Sequence, residues 1–147
     1  MNPSPSSTFF VICTLHAAAA ATCGVLIMFY LREMTELGHG AATARSMVGS
    51  TAHDEVVLRV SNSFAGLLLV VIGCLVFMAG LVKDREFQGF FAKGCVGLHL
   101  AMAVWRVWFE RRLEVLARDW PRQLVGDVVL ALSWVFFLVY TWREKYD

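Results

Sequence analysis

Charged residues are scarce in this chain. They form 17% of its 147 residues, whereas a soluble domain carries about 25%. The net charge of +1 supplies no long-range field for nucleic acid, and the sequence has no basic patch with interleaved aromatic residues. We therefore expect no nucleic-acid partner.

Sequence motifs for catalysis are also missing. The chain has no G-x-S-x-G, no Walker-type glycine loop, no H-E-x-x-H and no dinucleotide fingerprint. None of its cysteines forms a C-x-x-C pair, and all four lie in apolar stretches: Cys13, Cys23, Cys74 and Cys95. This distribution argues against a disulfide framework and predicts thiols that pack as small apolar side chains. We predict that the protein is not an enzyme.

Long hydrophobic runs are the dominant feature of the sequence. The chain is 58% hydrophobic and its mean hydropathy is +0.60. About 20 apolar residues in a helix cross the roughly 30 Å of a hydrocarbon core. Four runs meet this length, and they predict an all-α membrane protein, a four-transmembrane-helix up-down bundle forming one domain over residues 1–147, with spans at 9–31, 62–82, 89–109 and 124–142.

The first run could instead be read as a cleaved signal peptide, since Ala17 to Ala21 offers small residues for a cleavage site. A basic leading region is missing, however, and the apolar run continues ten residues beyond Ala21. We predict a retained transmembrane helix surrounded by membrane lipids.

Small residues recur at helical spacing in the first two runs. Gly66, Gly73 and Gly80 are seven residues apart, which places them on one stripe of a helix. In the first run, small residues follow i, i+3, i+7 at Ala17, Ala20 and Gly24. Such stripes let helices in lipid approach closely, so we predict helix packing at both. The alternative is that glycine is frequent in membrane helices without any packing role.

The segments between the runs carry terminus signals. Ser50 or Thr51 precedes Asp54 and Glu55, which predicts a capped helix that continues into the second run. The short 83–88 segment predicts that its flanking helices are antiparallel neighbours. Residues 110–122 are mostly polar, with apolar residues at helical spacing: Leu113, Leu116 and Trp120. We therefore predict that the third helix continues into the headgroup layer and stops at Pro121.

Arg106 and Asp127 lie inside the predicted spans, where each charge is costly. Arg106 and Asp127 are placed at similar depth by the loop that joins the third and fourth spans. We predict an ion pair that locks these helices together. The alternative is a polar path that moves protons or binds an anionic head group.

Cysteine and histidine form the second polar pattern. Cys13 and His16 are i, i+3 on the first helix, and Cys95 and His99 are i, i+4 on the third. The two pairs are expected at one depth and could hold a transition metal, or the two histidines could be axial ligands of haem b. The alternative, which we favour, is that all four are ordinary interior residues and that no cofactor is bound.

The leading functional hypothesis is a non-enzymatic accessory or scaffolding subunit that packs against other integral membrane proteins, with a homo-oligomer as one form of that packing. Two alternatives stay open: an intramembrane redox, metal or haem protein, and an oligomeric channel or transporter subunit. Arg143 and Lys145 loosely resemble a dibasic retrieval tail, which favours an endomembrane location in the endoplasmic reticulum. The distribution of basic residues between loops favours the opposite orientation of that tail.

Overall fold

The fold is seen in a computed structural model, which describes residues 5–47, 51–113 and 120–146. Within these ranges every regular element is helical. A 3₁₀ turn, Glu110–Arg112, lies between α5 and α6, and the helices in chain order are α1 (Pro5–Phe29), α2 (Leu31–His39), α3 (Ala41–Ser46), α4 (Ala52–Gly80), α5 (Arg85–Trp108) and α6 (Trp120–Tyr146).

Four helical stretches are long and apolar enough to cross a membrane: Ser7–Phe29, Ala52–Gly80, Arg85–Arg112 and Leu124–Glu144. They overlap the four predicted spans, although the boundaries differ by up to ten residues. The largest differences lie at the starts of α4 and α5, where polar caps at Thr51 and Asp84 extend each helix ahead of its apolar run.

The start of α4 shows this most clearly. The backbone N–H of Asp54 donates to Thr51 Oγ1, and the backbone N–H of Thr51 donates to Asp54 Oδ2, both at 3.1 Å. This reciprocal pair is a capping box, which satisfies two donors that have no partner within the helix. The predicted cap is therefore confirmed at Thr51, eleven residues before the apolar run begins.

Replacing Thr51 with alanine is expected to weaken the first turn of α4 by about 1 kcal/mol, because Asp54 loses the acceptor of its backbone N–H. Hydrogen exchange followed by mass spectrometry should show the amides of residues 54–58 exchanging about fivefold faster. Thr51→Ser keeps the hydroxyl and should exchange like the wild type. Equal exchange in the alanine and serine variants would contradict a capping role for this residue.

Helix ends elsewhere correct the expectations. The chain leaves α1 at Tyr30, where φ is −130° and ψ is 46°. The third helix ends at Trp108 and a single 3₁₀ turn follows, so its predicted continuation is wrong up to Leu113, while residues 114–119 lie outside the described residues. Pro121 does not stop a helix, because it lies in the first turn of α6, where a missing N–H breaks no helical hydrogen bond.

Helix pairing also differs from the expectation for the 83–88 segment. The two extensive interfaces are α1 with α4 and α5 with α6, and α1 also contacts α6. By contrast, α4 and α5 are no more than marginal neighbours, although only four residues separate them. A short connection limits how far apart two helix ends can be, but the packing face decides which helix is the partner. Here the small-residue face of α4 lies against α1.

A compact aromatic core joins α1, α5 and α6. The Phe9 ring lies 6.0 Å from Phe91, 6.0 Å from Trp134 and 5.3 Å from Phe137, measured between ring centroids. Phe9 and Trp134 are fully buried. Cys13 and Ala92 complete this cluster, and Val76 of α4 packs against it. The first helix is therefore the one that all three other long helices contact.

Candidate functional site

The small residues predicted as packing faces lie against one another. Antiparallel packing of α1 and α4 sets Gly24 opposite Gly66 and Ala17 opposite Gly73, with Ala20 beside the same glycine. A Cβ atom on Gly66 would lie 2.6 Å from the Gly24 carbonyl oxygen, and one on Gly73 would lie 2.9 Å from the Ala17 carbonyl oxygen. Side chains cannot occupy these positions unless the backbones separate.

Gly80 belongs to the same interface. A Cβ atom there would lie 2.8 Å from the Cβ of Cys13. The stripes on α1 and α4 are thus both used inside the chain, and neither is left free for a second protein.

A charged cluster joins α5 to α6 near the end of α5. Arg106 donates from Nε to Asp127 Oδ2 at 2.5 Å and from Nη1 to Glu110 Oε1 at 2.8 Å. The carboxylates of Asp127 and Glu110 are each 7% exposed and the guanidinium-bearing side chain is 16% exposed. The Asp127 bond bridges two helices, whereas the Glu110 bond is local. Charge-assisted bonds of this kind fix the register of α5 against α6.

The two histidines face each other across α1 and α5. Their ring centroids are 5.8 Å apart, and the His16 ring is 5.0 Å from that of Trp134. His16 Nδ1 lies 3.0 Å from the Ile12 carbonyl oxygen, which only a protonated Nδ1 can approach as a donor. In the neutral ring, Nε2 then carries a lone pair directed into the interior.

Three buried nitrogens around this point have no hydrogen-bonding partner in the described part of the chain: His16 Nε2, His99 Nδ1 and Trp134 Nε1. The indole N–H is a donor only, and the His16 nitrogen is an acceptor in the neutral ring. Together they form a small polar centre between α1, α5 and α6.

The cysteines do not complete a metal site there. Across residues 5–47, 51–113 and 120–146, no three side chains among His, Cys, Asp and Glu converge as metal ligands. Cys13 is buried in the aromatic core, and Cys95 is half-buried against it. The Trp134 indole is fully buried next to His16, with 5.0 Å between the two ring centroids.

The sequence interpretation overlooked two residues. Trp134, which joins the histidines to the aromatic core, carried no signal beyond its aromatic character. Lys93 did carry one, because it is a charge within a span. It lies beside a groove of about 730 Å³ between the start of α5 and the end of α6, lined by Arg85, Glu86, Gln88, Gly89 and Lys93 on one side and by residues 137–139, 141 and 142 on the other.

Comparison with known proteins places this architecture in a family. Neither a search of the curated proteins nor one of the solved structures found a match. A family model described as "Domain of unknown function (DUF7865)" matches residues 4–135. Because the matched range covers nearly all of the four apolar helices and most of the 147 residues, the chain belongs to this family of unknown function.

Proposed function

We propose that the protein is a four-pass integral membrane protein whose long helices alternate in direction. Support comes from the four spans and from the direction in which their large apolar side chains point. Each span has such a side chain largely exposed: Leu15 at 65%, Phe64 at 60%, Val104 at 66% and Phe136 at 63%. In water these surfaces would be a severe aggregation hazard, whereas in a bilayer they are the expected lipid contacts.

Within the membrane we propose a non-enzymatic accessory or scaffolding role. The observation that carries this proposal is an unused small-residue face on α5, formed by Gly94, Gly97 and Ala101. A Cβ atom on either glycine would meet nothing within 4 Å. Of the four apolar windows, that of α5 is the least buried, at 11% against 22% for each of the others.

A glycine inside a helix costs about 1 kcal/mol relative to alanine, so two glycines without an internal contact make α5 less stable than it could be. In lipid, the common gain from such positions is the close approach of another helix. The α5 face offers a partner helix the same close approach that Gly66 offers α1. We propose that the helix of another membrane protein, or of a second copy, packs on it.

The location we propose is an endomembrane, with the endoplasmic reticulum favoured by Arg143 and Lys145 near the C-terminus. This assignment requires the end of α6 to face the cytosol, where a retrieval tail is read.

Changing Gly94 and Gly97 together to valine is expected to abolish partner binding, because the added methyl groups hold a second helix away from α5. Partner binding is measured by co-purification with the tagged chain in a mild detergent. The wild type should retain a stoichiometric membrane partner, and the double variant should lose at least nine-tenths of it.

Gly126→Val is the matched control, since a Cβ atom on Gly126 of α6 also meets nothing within 4 Å. It should retain the partner. Recovery of the wild type as a monomer with no partner, or equal partner retention in the double variant, would overturn the accessory role.

A further inference from the structure

A groove lies between the start of α5 and the end of α6. Its volume of about 730 Å³ is within the range of roughly 300–1,000 Å³ that small-molecule sites occupy. One wall is polar and belongs to the first turns of α5. The other is mainly apolar and includes Leu138, Val139 and Trp142 of α6.

Lys93 gives the groove its chemical character. Its side chain is exposed, and it makes no hydrogen bond or ion pair with any residue that the structure describes. It lies in the third turn of α5, within the apolar stretch Arg85–Arg112. A charged amine at such a position is costly unless its side chain reaches the interface or an anion comes to meet it.

The helix geometry brings a second cation to the same face. Arg85, Gly89 and Lys93 are spaced four residues apart and line one side of the groove. The side chain of a helical residue leans toward the N-terminus, so the Lys93 ammonium is directed back toward Arg85. Gly89 has no side chain between them, and a Cβ atom there would meet nothing within 4 Å.

The charges lining the groove are therefore two cations and one carboxylate, that of Glu86. Arg85 and Glu86, like Lys93, form no ion pair within the described ranges. Opposite them, Val139 is 52% exposed and Trp142 is 63% exposed. A tryptophan at the end of a span is typical of the headgroup level of a bilayer, which places the polar end of the groove where lipid phosphates lie.

We propose that this groove binds one anionic phospholipid, with its phosphate and charged headgroup between Arg85 and Lys93 and an acyl chain along the α6 wall. The proposal rests on the proposed membrane insertion. A free phosphate ion would make no use of the apolar wall, and an apolar partner helix would offer the two cations of the other wall no counter-charge. An anionic lipid matches both walls at once.

The experiment uses the full chain purified in detergent and binding measured by native mass spectrometry. Phosphatidylglycerol and phosphatidylcholine with identical acyl chains are the probes. We expect phosphatidylglycerol to bind at least tenfold more tightly than phosphatidylcholine. In Lys93→Gln this preference should fall about tenfold, while Lys83→Gln, which removes an exposed lysine outside the groove, should behave as the wild type.

A second variant tests the apolar wall independently. Val139→Trp adds bulk to the groove and should weaken the binding of both lipids, with the thermal unfolding temperature unchanged. Equal affinity for the two lipids, unaltered preference in Lys93→Gln, or full competition by glycerol phosphate without acyl chains would each overturn the lipid site.

Failure of membrane insertion is a separate result. Extraction of the protein from membranes by alkaline carbonate would contradict insertion itself. A chain that resists carbonate but shows no preference for phosphatidylglycerol contradicts only the groove proposal.

Discussion

Gly66→Val is expected to lower the free energy of unfolding by about 3 kcal/mol, at the upper end for an overpacked contact. A Cβ atom on Gly66 would lie 2.6 Å from the Gly24 carbonyl oxygen, and one on Gly24 would lie 2.5 Å from the Gly66 carbonyl oxygen. Both obstacles are backbone atoms, which cannot rotate away. The helices must separate, and the loss then extends to the contacts at Gly73 and Gly80.

Unfolding by sodium dodecyl sulphate in mixed micelles, followed by tryptophan fluorescence, measures the change. The matched control is Gly94→Val, which adds the same atoms to a helix and carries the same change in helix propensity. Its stability should remain within about 0.5 kcal/mol of the wild type, because nothing lies within 4 Å. Equal losses in the two variants would mean that helix propensity, not the α1–α4 contact, determines the effect.

Arg106→Met is expected to destabilise the protein by about 3–5 kcal/mol, because it removes the cation that two buried carboxylates share. Asp127 and Glu110 are then left with two negative charges close together in a low-dielectric region. Asp127→Asn should cost less, about 1–3 kcal/mol, since Arg106 still has Glu110 as its partner. Arg106→Met should therefore lose more stability than Asp127→Asn, because it leaves two carboxylates without a cation, whereas Asp127→Asn leaves the guanidinium with one carboxylate partner.

A triple variant tests whether charge is the reason. Replacing Arg106 with methionine, Glu110 with glutamine and Asp127 with leucine removes all three charges and should recover most of the stability lost in Arg106→Met, measured by the same unfolding titration. If the triple variant is as unstable as the single one, packing around the long arginine side chain explains the loss instead. If Arg106→Met is as stable as the wild type, the cluster does not hold α5 to α6.

The sequence was informative about where helices form. Hydropathy located the four apolar runs, and the Thr51 signal located the true start of α4, because both depend on local chemistry alone. The region after Trp108 was predicted less well. Its amphipathic spacing resembles a helix, yet the chain turns at Glu110–Arg112, and nothing in the spacing of Leu113 and its neighbours distinguishes the two outcomes.

Helix pairing was harder to predict, for a physical reason. The close spacing of α4 and α5 along the chain favoured pairing between them, but the glycines of α4 match the backbone of α1. Each small-residue stripe indicates that a helix packs on it, but which helix does so depends on both surfaces. The prediction that His16 and His99 lie close together was based on their matched depth. The position of Trp134 beside His16 depends on the rotation of α6, which the sequence pattern left undetermined.

The central position of α1 has a consequence for biosynthesis. Trp134 follows Phe9 by 125 residues, a distance that ribosomes cover in about 6 to 25 seconds at 5–20 residues per second. Throughout that interval the aromatic face of α1 and the inward nitrogen of His16 lack the α6 neighbour that will enclose them. In a chain inserted into a membrane as proposed above, the first helix therefore waits for its last neighbour until α6 has been made.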